Sequence, residues 1–313
     1  MLDRRVGVVG VVREFLVVHQ AMSQLISCYR DETLSFELVE NLVGDENSSP
    51  LYRLKEKCHS IFRLELAGQT TEVRTEALFD LAVGSLFHES MILRENLYQQ
   101  EKYGPRVDAL KSDANPSARE LSLEFDKILN SSASRLREAV EEVDVLLALT
   151  SDQLVRLLVE ECDNELLARC LYEEKAAVAA VFPRGLNAML AEVYGSATEG
   201  LMRAANSYIE SAYYDQALEV LSQATDGQGQ SDSWAFASAM QAFLGRDYPR
   251  CVEHLSIWLG KDRRRENLSR LKLVIAGARY VEKEHEGQFA PEVRAQLSAL
   301  EAQMKIGTEV QRS

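Results

Sequence analysis

Turn-forming residues are scarce in this chain, with 6 prolines and 16 glycines in 313 positions. Charged residues recur every few positions between leucines and alanines, so the sequence favours long helices. Cysteine is equally sparse. Cys28, Cys58, Cys162, Cys170 and Cys251 are odd in number, widely spread and never in a C-x-x-C pair. Such a set builds neither a disulfide framework nor a zinc site, and it points to a reducing compartment, the cytoplasm.

The patterns that carry chemistry are missing too. His19, His59, His88, His254 and His285 stand apart, none in an H-x-x-x-H or H-E-x-x-H context. His88-Glu89 with Glu95 has the residue types of a carboxylate-bridged metal bundle but lacks its E-x-x-H spacing, so it reads as the flank of a helix. Gly7-Val8-Val9-Gly10 lacks the third glycine, the preceding strand and the βαβ unit of a dinucleotide fingerprint. No Walker motif, nucleophile elbow or kinase signature occurs. The expectation is a protein without catalytic residues, metal or cofactor.

Positive charge is in deficit. Lysine and arginine number 35 against 49 acids, a net charge of -14, and such a surface repels phosphate backbones and anionic lipid heads. Nucleic acid is not an expected partner; the run Arg263 to Arg265 sits beside Asp262 and Glu266 and reads as a solvated helix start. Between Arg4 and Val18 an apolar stretch is interrupted by Arg13 and Glu14, short of the ~20 residues that span a bilayer. It is expected to be a buried first helix, neither a membrane segment nor a signal peptide.

What is present is a globular composition, 46% hydrophobic and 27% charged, in a chain long enough for two or three packed units, since single cores stop growing at roughly 250 to 300 residues. Helices are expected over 4–29, 33–43, 50–66 and 71–103, the last with Phe79, Ala82, Val83, Leu86, Leu93 and Leu97 on one stripe. The polar stretch from Gly104 to Ser117, with Pro105 and Pro116, marks a boundary or a long connection. Ser117 with Glu120 then reads as the cap of a helix running towards Leu149, with Asn130 to Ser134 as a candidate break. From Ser151 or Asp152, which would cap a helix ending near Cys162, the segments become short, with turns near Asp163, Tyr172, Pro183 and Gly195. The expected fold is all-α: an N-terminal helical bundle in 1–113, a long helix and short helices in 114–195, and a repeat unit in 196–313. The last two would form a right-handed α-solenoid.

Displaced by 34 residues, the chain matches itself. Ala205, Tyr208, Tyr214, Ala217, Leu221 and Ala224 recur as Ala239, Ala242, Tyr248, Cys251, Leu255 and Trp258. Small residues at these places let the two helices of a repeat approach closely, and the tyrosine fills the gap between repeats. The pattern, over 198–285, resembles tetratricopeptide (TPR) repeats. Trp258 stands where a small residue is usual, and Gly227 to Gly229 replace the customary proline. A third register from Glu266 keeps Leu273 and Ala276 but puts His285 in place of alanine.

Over 154–194 the runs Arg156-Leu157-Leu158-Val159-Glu160, Asn164-Glu165-Leu166-Leu167-Ala168 and Phe182-Pro183-Arg184-Gly185-Leu186 resemble the stacked helices of the flagellar motor switch protein FliG. In that family such helices make protein contacts and carry a charged ridge that meets the stator. Arg156 and Glu160 match the ridge, whereas Cys162 replaces an acid. The resemblance implies superhelical, armadillo-like packing and a bacterial setting rather than torque generation.

The TPR resemblance implies a peptide groove on the first helix of each repeat. It would be lined by Met202 and Asn206, by Phe236, Met240 and Phe243, and by Asn267 and Arg270, with Asn206 bonding a ligand backbone and Arg270 its acid. Phe236, Met240 and Phe243 fit equally well as core residues packed on neighbouring helices. The function expected is a protein-binding adaptor or scaffold. A self-associating subunit built on the valine-rich first helix and the helix at 71–103, and a regulatory enzyme with its site in the N-terminal third, are the alternatives.

Overall fold

The computed structural model describes residues 2–44, 49–62, 74–224, 231–261 and 291–309, with residues 272, 275, 276, 279, 282 and 283. Every regular element among them is an α-helix, so the all-α expectation holds. The chain separates into two compact units, 1–194 and 195–313.

The first unit contains α1 (Leu2–Arg30), α2 (Phe36–Val43), α3 (Pro50–Ile61), α4 (Thr75–Lys111), α5 (Pro116–Glu160), α6 (Glu165–Glu173), α7 (Lys175–Val181) and α8 (Gly185–Tyr194). Three of its helices start where short polar side chains meet orphan backbone amides. Ser35 accepts from Leu38 N, Ser49 from Tyr52 N and Asn115 from Ser117 N, with Pro50 and Pro116 in the first turns where no N–H is needed.

Helix α1 has the weakest intrinsic reason to be helical, because β-branched valines lose rotamer freedom against the preceding turn. Burial holds it. Val8, Val11, Val12, Phe15 and Val18 are each 0% exposed, packed against α2, α3, α5, α6 and α7. Phe15 meets Phe79 of α4 edge-on at 6.0 Å, and Phe79 meets Phe62 at 6.3 Å. Three of its four arginines are tied to the residues around it. Arg4 reaches Glu76 and Glu161 at 2.7 and 2.8 Å, Arg13 reaches Glu173 at 2.6 Å, and Arg30 reaches Asp144 at 2.9 Å. One expectation needs correction: Arg13 and Glu14 do not make α1 too polar to cross a bilayer. By length and composition Arg4–Arg30 is apolar enough, with a mean hydropathy of 1.3 over its best window. Its apolar stripe is covered by the unit, while Val6 and Val17 on the other side are exposed.

Helices α4 and α5 pack along one another as a long hairpin. The connection expected from Gly104 to Ser117 shrinks to a turn after Lys111, inside the first unit. A proline in a helix interior removes a hydrogen bond and costs about 3 kcal/mol, yet α4 continues through Pro105 because its last turns rest on α5. Val107 is 2% exposed, Gln100 donates to Leu129 O, and Lys111 pairs with Asp126 at 2.7 Å. Nor do Asn130 to Ser134 break α5. Ser132 is buried and donates to Asn96 O of α4 at 3.1 Å, so the polar run is a contact between helices. Ser151 caps no new helix; the Thr150 and Ser151 hydroxyls donate back to Leu146 O and Leu147 O, and α5 runs on to Glu160.

The second unit contains α9 (Ala197–Glu210), α10 (Tyr214–Ala224), α11 (Asp232–Leu244), α12 (Tyr248–Lys261) and α13 (Pro291–Glu309). The two hairpins α9–α10 and α11–α12 turn identically 34 residues apart. Ala212 and Arg246 both sit at φ 62°. Ser211 N bonds Ser207 O as Gly245 N bonds Gln241 O, and Tyr213 N bonds Tyr208 O as Asp247 N bonds Ala242 O. The small residues lie where helices touch, with Ala205, Ala239, Ala217 and Cys251 all at 0% exposure. Trp258 is 1% exposed and meets Phe236 at 5.4 Å, so the indole fills the volume its position would otherwise leave empty. Leu297 of α13 is buried, and Arg279 joins Glu301 at 2.9 Å.

Truncating the ring at the centre of the first unit should therefore be severe. We expect Phe15→Ala to cost about 3 to 5 kcal/mol in urea unfolding followed by circular dichroism. Val17→Ala on the exposed side of the same helix should stay within about 1 kcal/mol of wild type.

Candidate protein-binding surface

Helices α9 and α11 are the first members of the two hairpins, and capping by Ser196 and Ser231 fixes where each begins. Met202 and Asn206 of α9 are half-buried and reach the surface. Asn206 accepts a hydrogen bond from Ser233 of α11 at 2.9 Å. Its oxygen is thereby engaged between the two helices, and its amide hydrogens are what a ligand backbone could use.

Two proposed groove residues do not lie in a groove. Phe236 is 1% exposed and Met240 9%. Phe236 is clamped between Tyr214 of α10 at 6.4 Å and Trp258 of α12 at 5.4 Å. The physical reason is size: the hairpins meet through alanines, and the rings of Tyr214, Phe236 and Trp258 fill the space those alanines leave. Phe243, nearer the end of α11, is half-buried. Asn267 and Arg270 lie outside the described residues, as do Leu273 and His285.

Three thiols and one imidazole are buried in the packing. Burial pushes the Cys58 thiol up, Cys170 to about 11 and Cys251 to about 12, away from the thiolate that reactivity needs. His254 is buried against Trp234 at 5.2 Å, and desolvation lowers its pKa. Among the described residues no group of three or more His, Cys, Asp or Glu could hold a metal ion. The apolar stripes that would have formed an oligomer core are used inside the chain, α1 in the middle of the first unit and α4 against α5.

An open groove of about 740 Å³ runs between α4 and α5. Its floor is Met91 and Ile92 of α4 with Ala139 of α5, and its rim carries Glu89, Glu95, Glu138 and Glu142. His88 and Arg135 also line it. The sequence brought His88, Glu89 and Glu95 to notice but not Glu138 and Glu142. The signal that could have found them is the antiparallel register, set by Ser132 on Asn96 and Gln100 on Leu129.

Comparison with family models, with curated proteins and with solved structures gives no match to the chain.

The two classes of residue on α9 and α11 should separate in the laboratory. Phe236→Ala should destabilise the second unit by about 3 to 5 kcal/mol. Met202→Ala, at a half-exposed position, should cost about 1 kcal/mol or less, both read by chemical denaturation.

Proposed function

We propose that this chain is a non-enzymatic adaptor, a cytoplasmic bacterial helical-repeat protein that binds a protein or peptide partner within a larger assembly. The observation that carries this reading is the recurrence at 34 residues of turn conformation, hydrogen bonds and buried small residues in the two hairpins of the second unit. A repeated hairpin cannot bury its apolar face alone. Stacking covers that face and leaves the first helices of successive hairpins lining a shared concave surface, the usual binding face of such proteins. On this reading the second unit is a TPR-like right-handed solenoid. The short helices α6, α7 and α8 are its armadillo-like counterpart, in keeping with their resemblance to FliG.

The binding residues are then Met202, Asn206 and Phe243, with Phe236 and Met240 shaping the surface from beneath. Met202 supplies an adaptable apolar contact and Asn206 two amide hydrogens for a ligand backbone.

The test is affinity capture from native cytoplasm by the full-length chain and by Met202→Glu, both first shown to be folded by circular dichroism. Wild type should retain a partner that the variant holds at least tenfold less well, and that partner should slow amide exchange in α9 and α11. Identical capture by both proteins, or protection confined to other helices, would contradict the reading.

A further inference from the structure

The α4–α5 groove has properties that point to a particular occupant. Its floor is apolar, and the apolar surface continues beyond it on the same helix faces. Leu149 lies seven residues after Glu142 on α5 and is 43% exposed; Leu81 lies seven residues before His88 on α4 and is 67% exposed. Between Leu81 and His88 stands Gly84, where a Cβ would meet nothing within 4 Å. A glycine inside a helix costs about 0.5 to 1 kcal/mol relative to alanine. What it offers in return is close approach by a second backbone.

The negative charge around this floor is only partly compensated, by Arg135 in the lining and by Arg94 near Glu95. Several other acids of the unit are matched with arginines, as Glu40 is with Arg94 and Glu173 with Arg13. The rim carboxylates have no cation within ion-pair distance among the described residues; Glu95 accepts only from Gln99 and Glu138 only from Ser134. Arg135 is the one arginine lining the groove against those four acids. From Leu81 to Gln99 the α4 wall measures about 27 Å, the length of a helix of roughly 18 residues.

We infer that the α4–α5 groove is a docking site for a lysine- or arginine-rich amphipathic helix of a partner protein, which lies along the hairpin as a third helix. Leucine-like residues at i, i+3, i+4, i+7 and i+11 cover Met91, Ile92, Leu81 and Leu149, and flanking cations meet the four glutamates. Complementary charge sets specificity and register, and the apolar floor holds the helix in place. The site lies in residues 81–149, so it stands or falls separately from the surface on α9 and α11.

The probe is a synthetic 18-residue Leu/Lys peptide with leucines at helical spacing, measured by fluorescence anisotropy against the full-length chain. A scrambled peptide of the same composition and a Leu/Glu peptide are the controls. Wild type should bind the amphipathic Lys peptide at least tenfold more tightly than either control. The exposed double reversal Glu138→Lys/Glu142→Lys should remove at least tenfold of that affinity. Gly84→Phe, whose Cβ enters open space and whose fold is first checked by circular dichroism, should weaken binding to a similar extent by blocking the approach. Equal binding of ordered and scrambled Lys peptides would reduce the effect to the net charge of the chain and overturn the proposal. So would variants that bind as wild type does. Dimerisation of wild type in sedimentation, abolished by the same reversal, would assign the groove to a second copy and equally overturn it.

Discussion

A 29-residue helix studded with valines gains little from its own backbone and must be held by what surrounds it. In residues 1–194 that constraint organises the rest. One face of α1 packs against α2, α3, α5, α6 and α7, helices from before, within and after the long α4–α5 hairpin. The ion pairs of Arg4, Arg13 and Arg30 pin the start, middle and end of α1 to α4, α5 and α6. These arginines are 49% to 67% exposed, and pairs of that kind are worth about 1 kcal/mol at most. They orient α1, while its buried face holds it.

The consequence for function is a division of labour. Because α1 uses the inner faces of its neighbours, the outer faces of α4 and α5 are left with an apolar strip and unpaired carboxylates. In the second unit the division arises differently. Alanines bring helices together and bulky rings fill the interior, so the residues left at the surface of the first helices are modest ones, Met202 and Asn206, rather than the large rings. Both units thus present helix faces, and helix faces are suited to gripping other helices or peptides.

Much of this was legible in the chain. Scarce proline and glycine with 3.6-residue periodicity gave the helical class, and the 34-residue match gave hairpins whose turns coincide to the hydrogen bond. The misjudged places share a cause. Pro105, Ser132 and Ser151 are local signals for stopping a helix, and each was overruled by something nonlocal or by side-chain bonding within the helix. Phe236 and Met240 were ambiguous because helical spacing says which face a residue occupies but not whether that face meets solvent or another hairpin. The α4–α5 groove was invisible until the register between the helices placed Glu138 and Glu142 across from the turn that carries His88 and Glu89.

The account turns on α1 as the buried axis of the first unit, and amide hydrogen exchange on the full-length chain tests this most directly, with and without anionic lipid vesicles. It predicts that the amides from Val8 to Met22 exchange only by global unfolding, as slowly as the slowest in α4 and α5, and that vesicles leave them unchanged. Fast exchange in α1 while α4 and α5 stay protected, or a new protection of α1 on addition of vesicles, would contradict it.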